Sequence, residues 1–144
     1  MSTNKRILLI EDDWEHIKWI REGIRGRWPE AVVDEIRTEK ALVDKFDSVA
    51  GANYDLVIID QAVPYASVED KDRNRARLEL NAFRAGSRCY DRLRKDPRTQ
   101  DVPLIFYTIH DKIRVPPDAV YVQKSSTSIP TLLDRAEKEL AAVR

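Results

Sequence analysis

A parallel α/β sheet covered by helices on both faces is predicted by three features of the sequence. Residues 6–10, 54–59, 104–107 and 119–122 form short β-branched or aromatic runs with little polar alternation, the pattern of strands buried on both faces of a parallel sheet. Segments with helical spacing separate them, and parallel neighbours need such crossovers. The length, 144 residues and 16.7 kDa, suits one hydrophobic core, so the whole of 1–144 is expected to be a single domain.

The first run, ILLI at 7–10, is followed by a helix whose apolar stripe is Ile17, Ile20, Ile24 and Trp28, with Arg21, Arg25 and Trp19 off it. A fifth strand candidate is 31–36. Thr38 is placed to cap a second helix with Leu42, Phe46 and Val49 inward and Gly51 and Asn53 at its end. After the strand at 54–59 comes a charged stretch, 65–85, too long for a simple loop and read as an insertion; Leu78, Leu80 and Phe83 make its later part helix-forming. Between Tyr107 and Ala119, Pro116 and Pro117 leave room for no more than a short or missing fourth helix. The last helix carries Ile129, Leu132, Leu133, Ala136, Leu140 and Val143 inward, with Pro130 in its first turn, where a missing N–H does no harm.

Composition narrows the function classes. Twenty-five basic and 25 acidic residues balance, so no overall field draws the chain to nucleic acid or to anionic lipid. Arg73, Arg75, Arg77 and Arg84 alternate with Glu69, Asp70, Asp72 and Glu79, which reads as a solvated face laced with ion pairs rather than an RNA or DNA stripe. Cys89 is the lone cysteine, expected as a small buried apolar residue; neither a disulfide framework nor a cysteine zinc site is indicated. No apolar run approaches a bilayer span and no signal-peptide pattern opens the chain, so the expected location is cytoplasmic.

Ligands of open parallel sheets bind at the carboxyl ends of the strands. There the sequence places Glu11, Asp12 and Asp13, then Asp60, Thr108 and Lys124. Ionised Asp60 beside Glu11 and Asp12 would meet both desolvation and like-charge repulsion, and needs positive compensation. Mg²⁺ with oxygen ligands supplies it and leaves positions for water and phosphate oxygens. Asp60 is then a candidate nucleophile toward a phosphoryl donor, forming an acyl phosphate, with Lys124 and the Thr108 hydroxyl on the equatorial oxygens. Asp13 reads better as an acid at a helix N-terminus, favoured by the dipole, than as a third ligand.

ILLIEDD at 7–13, YDLVIIDQAVP at 54–64, LIFYT at 104–108 and AVYVQK at 119–124 together resemble the receiver domains of two-component response regulators, in particular the chemotaxis-type single-domain regulators. The resemblance covers most of the chain. It implies a flavodoxin-like, doubly wound five-stranded sheet of order 2-1-3-4-5. It implies that Glu11, Asp12, Asp60 and the main-chain carbonyl of Ala62 hold Mg²⁺, that Asp60 is the phosphoacceptor, and that Thr108 and Tyr121 are the switch pair beside the phosphate-binding Lys124. The implied partners are a histidine kinase or histidine phosphotransfer protein and a downstream protein. The implied role is a stand-alone phosphorelay regulator that self-phosphorylates and slowly dephosphorylates, not a metabolic enzyme.

The sequence also departs from that pattern. Ser125 follows Lys124 where the family has a proline after a cis bond, and Ile109 is bulky and expected to crowd the phosphoryl pocket. These features motivate a second reading, a receiver-like interaction module that works without phosphate through the insertion or the first helix, where Trp19 is a candidate contact. A third, a phosphohydrolase with an aspartyl intermediate, lacks its acid, because the position two after Asp60 is Ala62. His16 and His110 have no partner ligands in the pattern; for His110, tuning of phosphate lifetime and an exposed loop position are equally open.

Overall fold

The structure, a computed structural model, describes residues 4–66, 84–110, 112 and 115–142. Five strands, β1 (Arg6–Ile10), β2 (Val32–Ile36), β3 (Leu56–Ile59), β4 (Leu104–Thr108) and β5 (Val120–Gln123), form one sheet in the order β2-β1-β3-β4-β5, and every pairing is parallel. The helices are α1 (Trp14–Arg27), α2 (Glu39–Asp44), α3 (Phe46–Gly51), α4 (Ala85–Lys95) and α5 (Ile129–Ala142). This is the flavodoxin-like arrangement expected from the sequence.

Uninterrupted apolar strands are explained by two cores rather than one. Successive side chains point to opposite faces. Ile7, Leu9, Ile58, Ile105, Tyr107 and Val122 therefore meet α1 and α5 on one side, through Ile17, Ile20, Ile24, Leu132, Leu133 and Ala136. Leu8, Ile10, Val57, Ile59, Leu104 and Phe106 meet α2, α3 and α4 on the other, through Leu42, Val49, Cys89 and Leu93. Trp28 and Phe46 are partly buried against these cores. Burial pushes the Cys89 thiol up to about 12, so it packs as an apolar group and is not a thiolate at neutral pH.

Two local readings are corrected. The expected second helix is two: Lys45, with φ −108° and ψ 17°, leaves helical geometry between α2 and α3, and both halves still bury their apolar residues. Thr38 caps α2 through Ala41 N, and Asn53, at φ 58°, turns the chain into the left-handed region after α3. The fifth strand runs one residue later than expected, to Gln123. Ile109, next to Thr108, is 64% exposed. Residues 67–83 of the expected insertion, with Leu78, Leu80, Phe83 and most of its arginines, and Val143 of the last helix, lie outside the described residues. Between β4 and β5 no α-helix is found among the described residues. No described helix is long and apolar enough to cross a membrane.

Candidate functional site

Parallel register brings the strand ends to one level. Ile10 pairs with Ile59, so Glu11 and Asp60 leave adjacent strands side by side, and Asp60 N donates to Ile10 O at 2.9 Å. Thr108 pairs with Gln123, which sets Lys124 beyond the same edge, its amide donating to Thr108 O at 2.8 Å. Asp12 and Asp13 follow as the chain turns into α1. Asp13 caps that helix, its Oδ1 accepting from Glu15 N at 2.9 Å and His16 N at 3.1 Å, and these bonds hold its carboxyl below the usual range.

Carboxylate oxygens of Glu11, Asp12 and Asp60 lie within 4.8 Å of one another. The Lys124 ammonium donates to Glu11 Oε1 at 2.7 Å and Asp60 Oδ2 at 3.2 Å, and lies 3.1 Å from His16 Nδ1. Both Lys124 and Glu11 are buried, whereas Asp60 is half-buried. Burial pulls the lysine's pKa down, but Asp60 and Glu11 outweigh it and the net direction is up, which keeps the ammonium charged. Burial pushes Glu11 up to about 7 from 4.5, with Asp60 adding to the rise and Lys124 opposing it.

Among the described residues, the carboxylates of Glu11, Asp12 and Asp60 gather beside the Lys124 ammonium, which concentrates negative charge in a partly dry site. A hard divalent cation relieves that charge and prefers an all-oxygen donor set, so these residues fit Mg²⁺. Ala62, the other candidate ligand, donates its amide to Asp60 Oδ1 at 3.4 Å. The fully buried Thr108 accepts from His110 N at 3.3 Å, and Tyr121 donates its hydroxyl to His110 O at 2.6 Å, so both candidate switch residues meet at one loop.

A pH dependence follows. A carboxyl whose folded pKa lies above its unfolded value contributes stability that is fully present below the unfolded pKa and lost as pH rises through the folded one. For Glu11 that window runs from 4.5 to about 7. In metal-free buffer the urea midpoint is expected to fall across this range, and Glu11→Gln should flatten the fall; a wild-type profile without it would contradict the assignment.

The loop after Asp60 is held from two sides. Pro64 O and Tyr65 O accept from Glu39 N at 3.0 Å and Lys40 N at 2.7 Å, the start of α2. The chain's return is held by Gly86 N on Gln61 O at 2.9 Å, by the buried Gln61 amide on Ser87 N at 2.6 Å and Ser87 Oγ at 2.7 Å, and by Arg88 paired with both Glu39 oxygens at 2.7 Å. Sequence reading missed this lock and missed His16.

No protein-family model matches the chain, and no curated protein matches it by sequence. Solved structures do. The chemotaxis response regulator CheY4 of Vibrio cholerae superposes with a TM-score of 0.69 at 13% identity, covering 94% of this chain and 98% of that one. The phosphorylated cyanobacterial phytochrome response regulator RcpA gives 0.70 at 16% identity, covering 96% and 95%. The response regulator TrrA of Thermotoga maritima, in complex with Mg²⁺–BeF, gives 0.66 at 22% identity, covering 94% and 98%. The protein therefore has the fold of response regulator receiver domains.

Proposed function

We propose that the protein is a receiver that takes a phosphoryl group onto Asp60 with Mg²⁺ and signals through a protein partner. The observation that carries this reading is the Lys124 ammonium joined to Glu11 and Asp60 beside the Asp12 carboxylate. Glu11, Asp12, Asp60 and the Ala62 carbonyl are assigned to hold the metal, which when bound screens the carboxylates and the incoming phosphoryl oxygens.

The chain's own groups do the rest. An Asp60 oxygen attacks phosphorus, the bond to the phosphohistidine nitrogen of a histidine kinase or phosphotransfer protein breaks, and the departing imidazole keeps the electron pair and takes a proton from solvent. Lys124 exchanges a carboxylate oxygen for a phosphoryl oxygen, and the Thr108 hydroxyl turns toward the new charge. The Tyr121 hydroxyl, held by His110 O, follows the movement of that loop. Trp14, 60% exposed beside the capping Asp13, and Tyr65, 41% exposed on the loop after β3, offer apolar rim contacts to the donor protein.

Incubation with Mg²⁺ and acetyl phosphate, read by intact mass, is expected to add one phosphoryl group, and Asp60→Asn should abolish it. No Asp60-dependent adduct, with a beryllium fluoride complex also failing to bind, would overturn the proposal. A second reading, an interaction module independent of phosphate, is favoured by the β4–β5 connection, which shows no α-helix among the described residues and carries the exposed Ile109. It predicts partner binding unchanged by Asp60→Asn, whereas the first reading requires a change.

A further inference from the structure

A groove of about 680 Å³ opens beside the acidic centre, and two of its walls belong to both. Lys124 and His16 line it at the end nearest Glu11 and Asp60; Trp19, Ile20, Ile109 and Ile129 form most of the remainder, with Tyr107, Ser125 and Ser126 completing it. Trp19 and Ile109 are 48% and 64% exposed, so two large apolar side chains stand open to water at its lip. The Trp19 ring is braced by the His16 ring, their centroids 5.7 Å apart.

The volume lies within the ~300–1,000 Å³ typical of small-molecule pockets and far exceeds what an acetyl group fills. Cation and imidazole stand at the inner end, and beyond them indole and aliphatic surface dominate, with two serines beside Lys124. That matches a molecule with an anionic, phosphorus-bearing head and an apolar body.

We infer that the groove receives the leaving group of a small-molecule phosphoryl donor, an acyl phosphate whose acid carries an aromatic or comparably bulky apolar body. The inference rests on Asp60 being the acceptor. An Asp60 oxygen forms the new bond to phosphorus while the bond from phosphorus to the acyl oxygen breaks. The acid departs as a carboxylate with that electron pair, so no proton, oxidant or further reactant is needed. Its apolar body lies against Trp19 and Ile129 while the phosphoryl group is handed past Lys124.

The test compares benzoyl phosphate with acetyl phosphate as donors to the whole protein with Mg²⁺, scored by intact mass over time. Benzoyl phosphate is expected to label with a kcat/KM about tenfold higher, the scale of one apolar contact surface in a fitted pocket. The ratio should fall below about threefold in Trp19→Ala and in Ile109→Ser, both changes at exposed positions that do not open the core. A readout without transfer is the Trp19 indole N–H resonance, which should shift saturably with benzylphosphonate and not with methylphosphonate. Equal labelling by the two donors, a benzoyl preference that survives both variants, or an unmoved indole resonance would each overturn the groove assignment while leaving acetyl phosphate labelling, and the Asp60 reading, intact. Labelling by neither donor would overturn both.

Discussion

Gly86→Ala is expected to destabilise the protein by up to about 2 kcal/mol, although the substitution lies in a helix where alanine is intrinsically the better residue. An added Cβ there would lie 2.6 Å from Asp60 O, 2.6 Å from Gln61 Cα and 2.8 Å from Gln61 Oε1. Two of these are backbone atoms, so no rotamer change relieves them; the start of α4 must move off the acceptor loop and stretch the bonds from Gly86 and Ser87 to Gln61. Overpacking of this kind costs about 1–3 kcal/mol, against a propensity gain of about 1 kcal/mol. Gly26, in α1, is the control: nothing lies within 4 Å of its would-be Cβ, and Gly26→Ala should stabilise by up to about 1 kcal/mol. Urea denaturation of the two variants reads opposite signs. Equal signs would mean that α4 does not abut the loop as described. Asp60 labelling should also slow in Gly86→Ala, because its carbonyl is one of the displaced atoms.

Lys124→Met carries a larger expected cost, about 3–5 kcal/mol at pH above 7 without metal. The variant keeps an unbranched apolar side chain but removes the donor to Glu11 Oε1 and Asp60 Oδ2, leaving carboxylates in mutual repulsion, one of them buried. The penalty can be met by protonation, and Glu11 already holds its proton up to about 7 in the intact protein. Without the ammonium that pKa moves higher still, so the cost should shrink as pH falls to about 5. Mg²⁺ should stabilise the variant more than the wild type, since it replaces the lost positive charge in the same cluster. Chemical denaturation at both pH values, with and without Mg²⁺, checks all three expectations. A cost below about 1 kcal/mol at high pH would show that the ammonium is not what balances the carboxylates.

Much of the fold was legible because it is written in local pattern. A strand buried on both faces must be apolar at consecutive positions, so ILLI and LVII declare themselves, and α1 declares its inward stripe by spacing. The carboxylates and the lysine were legible because a parallel sheet delivers every strand end to the same edge, whatever the intervening chain does. What was lost depends on tertiary contact. The break at Lys45 leaves the apolar spacing of Leu42 and Val49 intact and so has no sequence mark. His16 and Gln61 were passed over for a related reason: each acts on a residue distant in sequence, Lys124 and Ser87, and nothing in its own neighbourhood announces the partner.

The first turn of α2 holds two separate parts of the chain at once: its amides take the carbonyls of Pro64 and Tyr65 after β3, and its Glu39 side chain takes Arg88 of α4. A six-residue helix thus works as a clasp, and loosening it at Glu39 would slacken the segment after Asp60 and the start of α4 together.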